Sequence, residues 1–114
     1  MFNDAPLTFE MKEGKTPGTR IFHITGPLTL RNMFDLQAAL RTEPQPQTTV
    51  LDLTEVPYMD SAGMGLIVNH YVRCKSRGTE VVAAGVCDRV MELFKLTKVD
   101  TVIPFRDAFK EEDW

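Results

Sequence analysis

The chain predicts an α/β fold, a mixed sheet of about five strands with helices mainly along one side, and three observations lead there. Residues 7–11 and 19–25 alternate apolar and polar positions around a turn-rich loop, the pattern of an antiparallel strand pair. Further on, β-branched apolar runs at 48–53 and 80–84 flank a segment whose apolar residues recur at helical spacing, which is the order of a βαβ unit with parallel strands. Finally, 114 residues at 43% hydrophobic content suffice for one domain, spanning 1–114, to bury a core without disulfide or metal staples.

Taken in order, the loop Lys12-Glu-Gly-Lys-Thr-Pro-Gly18 joins the first two strands because glycine and proline supply its turns. Residues 30–41 place Met33, Phe34, Gln37, Ala38 and Leu40 at helix-like intervals, and Thr42-Glu-Pro-Gln-Pro-Gln47 stops that helix because proline bars its continuation. After the strand at 48–53, Met64, Ile67, Val68, Tyr71 and Cys74 define a helix over 62–77, with Ser61 as its expected N-cap and Gly78 as its stop. A third helix is expected over 88–96, carrying Val90, Met91, Leu93 and Phe94 behind a cap at Cys87 or Asp88. Residues 101–105 read as a short edge strand that tolerates Pro104, and 106–114 as a weaker helix. No internal repeat or low-complexity tract is present.

Composition excludes several function classes. A formal net charge of −3 leaves no broad basic face for nucleic acid phosphates, so no direct nucleic acid partner is expected. The two cysteines, Cys74 and Cys87, make no secretory framework and are expected as free thiols. Met1-Phe-Asn-Asp-Ala-Pro6 lacks a basic segment followed by an apolar run, and no 18-residue apolar stretch exists. A cytoplasmic protein without direct membrane insertion is the expectation.

Chemistry concentrates in Leu51-Asp-Leu-Thr-Glu-Val-Pro-Tyr-Met-Asp60-Ser61-Ala62-Gly63-Met64-Gly65, where a strand feeds a helix through a short connection. A serine at a helix start sits among unpaired N–H groups and the positive end of the helix dipole, so an added phosphate would be electrostatically favoured there. Serine is equally a common N-cap with no further role. Gly63 and Gly65 each cost about 1 kcal/mol relative to alanine in a helix interior. Either close approach by another molecule or close packing on the chain's own sheet accounts for them. His70 and Cys74, four apart, fall short of the three protein ligands zinc requires, and no metal site or cofactor is expected. Asp52, Glu55 and Asp60 lack a basic partner or phosphate cradle. Gly63-Met-Gly65 carries neither a third glycine nor a Gly-Lys-Ser/Thr ending, and Ser61 lacks a nucleophile elbow and an assignable histidine base. The serine therefore reads as a substrate, not a catalyst, and the chain as no enzyme.

Met59-Asp60-Ser61-Ala62-Gly63-Met64-Gly65 resembles the signature of STAS domains of the bacterial anti-sigma factor antagonist family. The likeness extends to residues 19–41 around Gly26-Pro27-Leu28-Thr29, to Gly78-Thr-Glu-Val-Val-Ala-Ala-Gly85 and to Val90-Met-Glu-Leu-Phe-Lys-Leu-Thr97, so it covers nearly the whole chain. It implies a single STAS-like domain in which Ser61 is phosphorylated by an anti-sigma factor serine kinase and restored by a serine phosphatase. The unphosphorylated form would bind that kinase through Asp60, Ala62, Gly63, Met64, Gly65, Gly26, Leu28 and Thr29 and release a sigma factor. Where the family carries an aspartate in the first turn, this chain has Thr29, and Ala62 leaves Ser61 as the only hydroxyl between Asp60 and Gly65. The alternative implied by the same resemblance is an unphosphorylated scaffold or a subunit of a transport complex.

Overall fold

The computed structural model describes residues 6–114. Residues 1–5, on which most of the expectation of no leader segment rests, lie outside the described residues. Five strands and three helices follow in the order β1 (Thr8–Glu13), β2 (Thr19–Thr25), α1 (Phe34–Leu40), β3 (Thr48–Glu55), α2 (Ser61–Ser76), β4 (Glu80–Ala84), α3 (Asp88–Leu96) and β5 (Phe105–Arg106). The sheet order is β1-β2-β3-β4-β5, antiparallel between β1 and β2 and parallel across the other three pairs.

Register sorts the strand residues into two faces. Phe22 pairs with Leu51 and Leu51 with Ala83, whereas Ile21 pairs with Val50 and Val50 with Val82. The first set joins Leu36 and Leu40 of α1, Leu66, Ile67 and Cys74 of α2, and Val90 and Phe94 of α3 in one core, so all three helices lie against one face. Each fully buried Phe or Leu in it contributes about 1.5–3 kcal/mol of hydrophobic stabilisation. The C-terminal segment crosses the opposite face. There the Phe109 ring meets His23 edge-on at 4.9 Å, the Trp114 carbonyl accepts the Thr16 N–H at 2.7 Å, and Lys12 pairs with Glu111. Trp114 also lies beneath the Arg106 guanidinium, 5.0 Å from ring to charge.

These contacts correct one expectation: residues 106–114 form no α-helix, only a single 3-10 turn at Glu111–Asp113. The aromatic anchors at Phe109 and Trp114 need an extended path across the sheet, and their burial outweighs a weak helical preference. The last strand is likewise shorter and later than residues 101–105. Val99–Thr101 is a 3-10 turn entered through left-handed Lys98 at φ 62°, and only Phe105–Arg106 pair with β4. The first helix begins at Phe34 instead of residue 30 because the preceding residues are held in a turn by side chains described below.

Candidate functional site

Asp60 organises the site. Its backbone is extended (φ −97°, ψ −178°), and its Oδ1 accepts the Gly63 N–H at 2.8 Å, making Asp60 the N-cap of α2. The expected cap was Ser61, one residue later. A carboxylate both reaches the first-turn N–H and brings full charge to the positive helix end, so it displaces the hydroxyl from that duty. Ser61 is thereby the first helical residue and exposed to solvent.

The second Asp60 oxygen, Oδ2, accepts the Leu30 N–H at 3.1 Å and ties the turn after β2 to the start of α2. Backbone bonds reinforce the junction: Leu28 N–H to the Tyr58 carbonyl at 3.1 Å and Asp60 N–H to the Leu28 carbonyl at 3.3 Å. Within the turn, Asn32 Oδ1 accepts from the Thr29 N–H at 2.9 Å and lies 3.2 Å from the Thr29 hydroxyl, while Asn32 Nδ2 donates to the Pro27 carbonyl at 2.8 Å. This is why α1 starts late: the Asn32 side chain closes the turn on Thr29 and Pro27. Gly26, at φ 106°, lets the chain leave β2 where any Cβ would strike the Pro6 carbonyl.

The sequence-predicted residues are thus brought together, with different roles. Leu28 is fully buried, so its side chain offers nothing to a partner and serves to seat the turn. Gly63 is buried beneath it, and a Cβ there would collide with the Leu28 carbonyl, so its missing side chain serves the chain's own packing. Gly65 differs: no atom lies within 4 Å of where its Cβ would be. Met64 is half-buried against the core, with the Thr97 hydroxyl 3.3 Å from its sulfur. Asp60, Ala62, Gly26 and Thr29 are also half-buried.

Sequence reading did not single out Asn32, Tyr58 or Arg89, and Phe34, which it set among the helix-spaced apolar residues of 30–41, is exposed while Leu36 and Leu40 take the core side. Asn is a frequent turn former, which was the available signal for Asn32. Leu30 and Phe34 leave 55% and 57% of their surface exposed beside the junction, an apolar display on a side the core does not use. The Arg89 guanidinium lies 5.1 Å from the Tyr58 ring, joining α3 to the same connection.

Elsewhere, His70 Nε2 lies 3.4 Å from Cys74 Sγ in the buried interior. Burial, with Arg73 and Arg41 adding repulsion, lowers the His70 pKa to about 4. Asp52 spends one oxygen on His23 Nδ1 at 2.7 Å and the other on the N–H and hydroxyl of Thr54, while Asp60 serves Gly63 and Leu30, so the nearby acids share no site. Among the described residues no group of three or more His, Cys, Asp or Glu is placed to hold a metal ion, and no helix is long and apolar enough to cross a membrane.

Residues 11–112 match the STAS domain family model. The chain is 32% identical over 104 residues to a protein of Listeria monocytogenes named anti-sigma-B factor antagonist, with 90% of each chain covered. This chain belongs to the STAS domain family. Solved structures similar to this STAS domain include a putative anti-sigma factor antagonist from Thermotoga maritima, at a TM-score of 0.83 and 21% identity over 92% of this chain and 91% of that one. Another is the phosphorylated form of the Bacillus cell fate determinant SpoIIAA, at a TM-score of 0.73 and 16% identity over 93% and 96%. At these identities the likeness of the solved structures is one of fold.

Proposed function

We propose that this STAS domain is an anti-sigma factor antagonist whose partner choice is set by phosphorylation of Ser61. The supporting observation is an exposed hydroxyl on the first residue of α2, beside an Asp60 whose two oxygens are already engaged. A kinase can therefore reach Ser61 Oγ without dismantling the cap. An anti-sigma factor serine kinase would transfer the γ-phosphoryl group of ATP to that oxygen, the proton leaving to a base on the kinase, and a serine phosphatase would hydrolyse the ester. The relatives named anti-sigma-B factor antagonist support the same reading. So does the solution of SpoIIAA in both unphosphorylated and phosphorylated forms. The domain acts by binding, with no reaction of its own, and its place is the cytoplasm with its partners.

The switch is electrostatic. Phosphate adds about −1.5 to −2 charge at neutral pH. It would stand beside Asp60 in the middle of the docking surface formed by Ser61, Ala62, Met64, Gly65 and the Gly26 to Leu30 turn. An unpaired charge in an interface that costs about 3 kcal/mol weakens binding more than a hundredfold, enough to reverse partner choice. The fold stays intact because the helix N-terminus accommodates the anion. Incubation with the cognate kinase and ATP should add one phosphate to the mass of the wild-type protein and none to Ser61→Ala; retained modification in that variant would refute the site.

One observation favours a second reading, an unmodified STAS subunit of a scaffold or transport complex: Thr29 puts a hydroxyl bonded to Asn32, and no carboxylate, on the first turn. Pull-down from lysate separates the two, since recovery of a transporter ATPase or large scaffold in place of a kinase supports the second.

A further inference from the structure

We propose that β1 is a self-pairing edge through which two copies of this chain associate, strand against antiparallel strand, with Met11 on the twofold axis. The strand ends the sheet, and five of its six residues are exposed, Met11 by 47%. Which backbone groups it offers follows from the ladder. The Gly14 N–H bonds the Thr19 carbonyl at 2.9 Å in the register that pairs Thr8 with Thr25 through Glu13 with Arg20. In an antiparallel ladder hydrogen-bonded and non-bonded pairs alternate, so Thr8, Glu10 and Lys12 turn their N–H and C=O groups toward β2. Phe9, Met11 and Glu13 turn theirs outward to an edge that no other strand among the described residues pairs.

A second strand must pair with those odd-numbered residues, and charge selects among the registers. Setting Phe9 against Met11 of the other copy would put Glu10 opposite Glu10, and setting Met11 against Glu13 would put Lys12 opposite Lys12. Like charges directly opposed repel. With Met11 opposite Met11, every outward residue is used: Phe9 meets Glu13, Met11 meets itself, and each such pair exchanges both N–H···O bonds. The non-bonded pairs between them are then Glu10 with Lys12 of the other copy, twice, where opposed side chains approach most closely. An exposed methionine lies at the centre on the helix-covered face, and the two reciprocal ion pairs form on the opposite face. Lys12, which also pairs with Glu111, blunts the edge toward unrelated strands while fitting this one. Because one short strand contributes most of the contact, the interface is small and the dimer weak and reversible.

Sedimentation equilibrium of the full chain, from about 10 μM to about 1 mM, should show a monomer–dimer equilibrium. Met11→Pro removes only an outward N–H, so the variant should fold like wild type and lose association at least about tenfold. Glu10→Lys and Lys12→Glu should each be monomeric alone, and an equimolar mixture should restore dimers, since every opposed pair then carries opposite charges. That complementation decides the register even if the proline variant fails to fold. Monomer throughout the wild-type range, dimers that survive Met11→Pro, or a mixture no more associated than its separate components would overturn the proposal.

Discussion

Two glycines two positions apart in α2 should respond to alanine with opposite signs. Alanine exceeds glycine by about 1 kcal/mol in a helix interior, so a helical glycine with free space gains from the change. At Gly63 the space is taken. The added Cβ runs into the Leu28 carbonyl oxygen and lies 2.9 Å from its carbon and 3.0 Å from Leu28 Cγ. Leu28 cannot recede without loosening its bonds to Tyr58 and Asp60 at 3.1 and 3.3 Å. Two hydrogen bonds at about 1 kcal/mol each, with overpacking of about 1 kcal/mol, set against a propensity gain of about 1, leave Gly63→Ala less stable by about 2 kcal/mol. Gly65→Ala meets nothing within 4 Å and should gain about 0.5–1 kcal/mol. With a urea slope of about 1 kcal/mol/M, the first midpoint falls by about 2 M and the second rises by about 0.5–1 M. If the Gly63 variant unfolds at or above the wild-type midpoint, the account of how the turn sits on α2 is wrong. Binding offers a second readout: if Gly65 is bare to admit a partner's backbone, Gly65→Ala weakens kinase binding in spite of its added stability.

Asp60→Ala removes the cap and the Leu30 tether together and should cost about 2–4 kcal/mol by urea unfolding; a loss below about 0.5 kcal/mol would show that the turn holds itself. Phosphorylated protein should unfold within about 0.5 kcal/mol of the unmodified form while losing more than a hundredfold in kinase affinity, measured by calorimetric titration; equal losses in both would make the switch conformational instead. His70 gives a pH dependence of defined sign. Its folded pKa of about 4 lies below the unfolded 6.5, so the stability it confers is complete above pH 6.5, declines as pH falls toward 4, and changes no further below that. The fall in unfolding free energy between pH 7 and pH 4 should be about 3 kcal/mol smaller in His70→Gln than in wild type, and identical profiles would refute the assignment.

Local pattern alone determined the elements whose amphipathicity and stop signals agree: β2 at Thr19–Thr25, β4 at Glu80–Ala84 and α3 at Asp88–Leu96 fall where the apolar spacing puts them. The same holds for the serine, the acid before it and the strand-to-helix connection that carries them, because cap chemistry is written within a few neighbouring residues. Tertiary contact decided what depends on atoms distant in the chain. The Asp60 oxygen left over from the cap holds Leu30, thirty residues earlier, a tether that no local pattern announces. Gly63 and Gly65, alike in sequence, were separated by whether the Leu28 carbonyl occupies the space beside them. The C-terminal residues lie extended because Phe109 finds His23 and the Trp114 ring finds Arg106, contacts that no helical period encodes. Periodicity reports a segment's preference for a buried side, whereas the partner that fills that side is fixed only when the whole chain has closed around it.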